Sequence, residues 1–194
     1  MATEPFELVV SPFQVYVAPV GTSFPLVSAA PSTPWVLLAA QEDQDEDGLT
    51  VTFEQNIEVF RGQDTAVLKA WRTEEDVTIA FNVASYLIEN VAKALNDVTV
   101  TDVAAGTGTP GYRHIPLLRG PDVALVALLV RGQEASPYGA GYNVQYEIPR
   151  AYNSANIEIT HSKSGVALVR FEFKAVKDPT AGYGRLVMQD AAPA

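Results

Sequence analysis

At 194 residues the chain is long enough to bury about 70% of its unfolded surface, so a single domain holds a core without covalent or metal staples. Hydrophobic residues make up 47%, charged residues 19%, and there is no cysteine, which excludes disordered and fibrous classes, disulfide frameworks, thiolate nucleophiles and cysteine-ligated zinc. The formal charge of −10, with 23 acidic against 13 basic residues, argues against tight phosphate binding, because that affinity comes from lysine and arginine releasing counterions.

The opening stretch MATEPFELVVSPFQVYV has neither a basic leader nor an unbroken apolar core, so no signal peptide is expected. The longest strongly apolar run, Val123 to Val130, is far short of a membrane span, and a soluble chain with no membrane partner is expected. Phe6 to Ala18 reads as a strand broken at Pro12. Residues 19–34 are rich in Pro, Ser, Gly and Ala and read as a loop or extended arm; Trp35 to Ala39 is a short apolar strand. Glu42, Asp43, Asp45, Glu46 and Asp47 then form an acidic turn within a second arm, residues 40–48.

From Leu49 to Glu58 apolar and polar residues alternate, and Asp76 to Val83 repeats the pattern. Period two means two faces, one buried and one wet. The wet parity holds Thr50, Thr52, Glu54, Asn56, Glu58, Asp76, Thr78 and Asn82. A further strand is expected over Ala66 to Arg72, after a turn at Gly62 to Asp64. Ser85 is placed to cap a helix in which Leu87, Ile88, Val91, Ala92 and Leu95 share one side, ending near Asn96 and covering the apolar face of the two alternating strands.

Val98 to Val103 is strand-like, and 104–111 is a third flexible arm. Tyr112 to Leu118 leads into Asp122 to Arg131, whose VALVALLV core has no polar parity and predicts a strand covered on both faces. Ser136 to Gly141 is a Pro/Gly turn. Tyr142 to Ile148, Ala155 to Thr160 and Val166 to Val176 alternate again, with Ser162 to Gly165 closing a hairpin between the last two, and Gly182 to Asp190 is a final strand. Many short strands and one helix define a mainly β chain: a single domain over 1–194, built as a β-sandwich or barrel with one flanking α-helix.

Three motifs have chemical readings that their context weakens. Gly106-Thr-Gly108-Thr-Pro-Gly111 matches a dinucleotide fingerprint in letters, but Tyr112 to Leu118 after it is strand-like, not the helix N-terminus that the pyrophosphate needs. Asp43, Asp45, Asp47, Gly48 and Glu54 match calcium-loop spacing, yet an extended strand after Leu49 carries Glu54 too far from Asp43 to close a site. His114 and His161 have no spacing that requires them to converge on a metal, and adjacent carboxylates at Glu74, Glu75 and Asp76 point to opposite faces of a strand. No nucleophile elbow or phosphate loop occurs, so no catalytic, cofactor or metal residues are assigned and no enzyme is expected.

Taken together, Trp35-Val-Leu-Leu, the acidic segment ending in Asp47-Gly48, the alternating strand through Glu54 and Glu58, Trp71-Arg72-Thr73, the strand Val77 to Val83, the helix Leu87 to Leu95, and Ile148-Pro149-Arg150-Ala151 followed by Phe171 to Asp178 resemble the major tail (tail tube) proteins of long-tailed, siphovirus-like bacteriophages. The resemblance covers about Trp35 to Gly184. It implies a structural protein of the virion, made in the host cytoplasm, without cofactors. Hexameric homo-oligomeric rings would stack into a hollow tube, contact other tail proteins and let DNA leave through the bore without specific binding. On that reading the wet parity set from Thr50 to Asn82 faces the bore, where acidic and small polar residues let a polyanion slide. The loop Gly21 to Pro34, the turn Glu42 to Asp47 and the loop Ala104 to Gly111 are candidates for ring-to-ring contacts. A tail-end ring component on the same fold is one alternative. Another is a β-sandwich module binding carbohydrate through Trp35, Trp71, Tyr138 and Tyr142.

Overall fold

The computed structural model describes residues 12–193 apart from 64, 162 and 164. In chain order the elements are β1 (Phe13–Pro19), β2 (Val36–Ala39), β3 (Gln44–Arg61), β4 (Val67–Val83), α1 (Ile88–Ala94), β5 (Thr101–Val103), β6 (Tyr112–His114), β7 (Val126–Gly132), β8 (Val144–Asn153), β9 (Val169–Ala175) and β10 (Arg185–Met188). Over the described residues the chain is mainly β with one α-helix, as expected. The part of the expected first strand from Phe6 to Ser11 lies outside the described residues.

One antiparallel sheet of eight strands carries the fold, in the order β2-β1-β7-β8-β9-β4-β3, with β10 paired to the start of β8. Its outermost strands, β2 and β3, are consecutive in the chain and joined only by residues 40–43. A connection that short forces the sheet to curl until its two ends meet at one corner. The Gln44 side chain ties that corner, donating to the carbonyls of Phe13 and Ala40. The curl encloses the main core, where Val15, Leu38, Ile79, Phe81, Leu128, Ile148, Phe171 and Phe173 meet from opposite parts of the sheet. Phe81, Phe171 and Phe173 stack at 5.3–6.2 Å between ring centroids.

Strand β7 has the two-sided burial its sequence predicts. Leu128 and Val130 enter the main core, while Ala127 and Leu129 turn the other way into a smaller cluster with Ala18 and Trp35. Residues 20–34 form a loop that passes over that second cluster and is fastened there. Their carbonyls accept at alternate positions: Ser23 from Trp35 Nε1 at 3.1 Å, Pro25 from Gln145 Nε2 at 2.9 Å, Val27 from Arg131 Nη2 at 3.0 Å and Asn143 Nδ2 at 3.1 Å, and Ala29 from Arg131 Nη1. Arg131 and Gln145 are buried beneath this strap, where an unpaired polar group would carry a full desolvation cost, and each donates to strap carbonyls.

Five other expectations need correction. The segments 66–72 and 76–83 are one continuous strand, β4, because a bulge at Thr73 absorbs the polar residues that interrupt the alternation. Strand β3 starts at Gln44, inside the expected acidic arm. The helix begins at Ile88 with Leu87 as an N-cap lacking any side-chain bond, not at Ser85, and Leu87 is exposed. Only Ala94 and Val91 of α1 reach the main core, beside β9, so the apolar rows of β3 and β4 are backed chiefly by the rest of the sheet. Residues 155–160 alternate in burial without forming a strand: Ala155 and Ile157 turn inward, but the segment has no ladder partner, and β8 instead meets β9 through Ala151 to Asn153. Period two records an extended chain with one side packed, which does not require a sheet. Ser162 and Ser164 of the expected closing turn lie outside the described residues.

Candidate functional site

Beyond Val51 and Ile79 the β3–β4 hairpin leaves the core and runs on as a two-stranded arm. From Leu49 to Arg61 it covers about 40 Å at roughly 3.3 Å per residue. The tip is closed by Thr65 N–H donating to the Gly62 carbonyl at 3.1 Å and Arg61 Nη1 donating to the Thr65 carbonyl at 3.0 Å. Apolar side chains along the arm are open to solvent: Phe53 is 68% exposed, Leu68 65%, Phe60 58% and Trp71 41%. Both edges are open as well. Strand β9 covers β4 only from Thr78 to Val83, and among the described residues no strand pairs with the outer edge of β3 or with β4 from Val67 to Val77.

Register fixes the faces, because directly opposed residues of an antiparallel pair share one. Thr50 opposes Ala80, Thr52 opposes Thr78, Glu54 opposes Asp76 and Asn56 opposes Glu74. With Asn82 and Glu58 on the same parities, the whole predicted set from Thr50 to Asn82 falls on one face. Sequence parity misses two groups there. Glu74 stands out in sequence only as part of an acidic triplet. Arg170, Glu172 and Lys174 of β9 oppose Asn82, Ala80 and Thr78, so they join the same face next to the base of the arm. Arg170 is paired with Glu172 at 2.9 Å. The alternation of β9 is visible in sequence, but which strand it neighbours is not.

The opposed carboxylates of Glu54 and Asp76 place like charges side by side, an arrangement that weakens an isolated ribbon. Beyond them the Thr73 bulge, filled by the Thr73 hydroxyl donating to the Asn56 carbonyl at 3.2 Å, shifts β4 by one residue against β3. Arg72 thereby reaches the apolar parity, where Nε donates to Gln55 at 3.0 Å and Nη1 lies 3.6 Å from Glu75. Trp71 arrives opposite Glu58, and Lys69 opposite Phe60. The outer part of the arm therefore exposes apolar side chains on both faces: Ile57 and Val59 beside Arg72 on one, Phe60 and Trp71 beside Glu58 and Lys69 on the other.

The remaining motifs resolve without chemistry. Residues 44–54 run extended, so Asp43 and Glu54 lie far apart, and Asp45 instead accepts from Asn82 Nδ2 at 2.6 Å. Gly106 and Thr109 bridge across a tight turn in the loop between β5 and β6, with Gly108 at φ 74°, and no helix comes after it. His161 lies edge-on to Tyr86, while His114 sits on β6 opposite Thr101. Trp35 is buried against Phe24 in the smaller cluster, so it cannot form a sugar platform with the exposed Trp71. Among the described residues no three His, Asp or Glu side chains gather in a way that could hold a metal ion, and no helix is long and apolar enough to cross a membrane. No protein-family model and no curated protein matches the chain.

Proposed function

We propose that the chain is a structural subunit of a bacteriophage tail tube, forming hexameric rings that stack into a hollow conduit for DNA. The β3–β4 arm carries this reading. A two-stranded ribbon is marginal in water, and an exposed one with long unpaired edges is a template for association. Rotational repetition removes the problem: the free edge of β3 in one copy pairs with the free edge of β4 in the next. Since β3 and β4 are antiparallel within each copy, every strand around the ring is antiparallel to its neighbours. This heterologous contact closes a barrel.

The face bearing Thr50, Thr52, Glu54, Asn56, Glu58, Asp76, Thr78 and Asn82 then lines the bore. Carboxylates and small polar groups there give a polyanion nothing to hold, in keeping with DNA that passes without specific binding. Arg170 and Lys174 make the wall mixed in sign at the level of β9; it is acidic along the arm from Glu54 and Asp76 to Glu74 and Glu58, and Trp71, Phe60 and Lys69 continue the same face at the tip. The partners implied are further copies and other tail proteins, and the location is the virion.

Negative-stain electron microscopy and sedimentation of the purified chain at rising concentration test the reading. Rings or tubes with an open centre are expected. A strictly monomeric profile at every concentration and salt, unchanged by added tail components, overturns it.

A further inference from the structure

The outer third of the arm differs from its base beyond what lateral pairing needs. A ribbon between a wet bore and a protein backing requires one apolar face. From Ile57 to Arg72 exposed apolar side chains stand on both faces, Ile57 and Val59 beside Arg72 on one and Phe60 and Trp71 beside Glu58 and Lys69 on the other, so burying them requires covering on both sides. The same third carries three basic residues, Arg61, Lys69 and Arg72, against Glu58 and Asp64. At the opposite end of the ribbon lies the acidic turn, Glu42 and Asp43 with Asp45, Glu46 and Asp47 at the start of β3, which has no basic residue. Glu46 and Asp47 are exposed there, and among the described residues Asp45 keeps Oδ1 buried without a hydrogen-bond partner.

We propose that the tip of the arm docks on the acidic turn of a second copy, in the adjacent ring of the tube inferred above. The occupant is a second copy because the two surfaces are complementary in charge and sit at opposite ends of one extended ribbon about 40 Å long, so a tip does not meet its own turn. The contact is head-to-tail. It leaves the tips of one end ring and the turns of the other open in any stack, and so it propagates without closing. Ring closure by strand edges and ring stacking by tips are then separate steps, carried by different residues of one hairpin.

Charge exchange tests this. A tip variant, Arg61→Glu with Lys69→Glu, and a turn variant, Glu42→Lys with Glu46→Lys and Asp47→Lys, each alter exposed residues outside the core, and far-UV circular dichroism checks that their β content is kept. The docking predicts that each variant alone stops at single rings, with stacked particles reduced at least ten-fold, and that mixing the two restores stacks, because each reversed surface then meets a complementary one. Variants that stack like the wild type, variants that fail to form even rings, or a mixture that stays unstacked overturn the docking while wild-type tubes leave the tube reading standing. A wild-type chain that forms rings but no stacks overturns the docking alone. One that stays monomeric overturns both.

Discussion

The carboxylate of Asp178 accepts from the Thr180 hydroxyl at 2.7 Å and from the Thr180 and Ala181 backbone N–H groups at 2.9 and 3.1 Å, and pairs with Arg150 at 2.9 Å. Those hydrogen bonds, the hydroxyl's first, together with the Arg150 charge, hold its pKa at about 2 against an ordinary 3.8. The folded chain therefore binds this proton more weakly than the unfolded chain. The stabilisation is complete above the unfolded value and is lost as pH falls from there through about 2. Asp178→Asn is expected to lower the urea midpoint at pH 7, with the gap to wild type narrowing by about pH 2.5; a gap of constant size across that range contradicts the assignment. Little of this was legible in sequence, where Asp178 closes a family-like segment and nothing marks its donors. Arg131 is equally opaque: it reads as the polar end of an apolar strand, yet it is buried with its guanidinium turned to a strap a hundred positions earlier, and burial lowers its pKa.

At the scale of elements, the alternation of β3 and β4 tells both faces correctly but not where the faces stop being covered. Periodicity reports which side of a strand is apolar, and Phe53 or Val59 look the same in sequence as Val51 or Ile79. What separates them is whether neighbouring strands extend as far, and β9 ends its pairing at Thr78. The same blindness to neighbours puts the helix behind β3 and β4, when only Val91 and Ala94 reach a core that the sheet itself supplies. No core residue lies between Val51 and Ile79, so the arm is energetically separable from the domain. Replacing residues 56–74 by Asn-Gly, which joins the directly opposed Gln55 and Glu75 by a two-residue turn, is expected to change unfolding free energy by no more than about 1 kcal/mol. The same deletion is expected to abolish assembly. Thermal unfolding and sedimentation check the two halves, and a collapse in stability would show that the arm supports the core after all.

For the whole molecule, the curl of one sheet around the main core yields a stable body with one unstable extension. Composition foretells the body, since a chain of this length and apolar content folds alone. The extension is visible only in three dimensions, as a ribbon whose edges and outer faces lack partners. Its two tryptophans report the two regions separately: Trp35 is buried in the smaller cluster, and Trp71 stands on the outer arm at 41% exposure. A Trp35→Phe chain keeps an aromatic ring beside Phe24 and leaves Trp71 as the sole indole emitter. If copies cover the arm, Trp71 passes from water into an apolar contact, and its emission moves to shorter wavelength with the same concentration dependence as sedimentation. Iodide quenching falls in parallel, because the ring is no longer reachable. Under the charge exchange described above, the tip variant forms rings in which Trp71 stays largely quenchable, and adding the turn variant protects it. Assembly that leaves the emission and quenching of Trp71 unchanged would mean that copies associate through some other surface and that the arm remains in water.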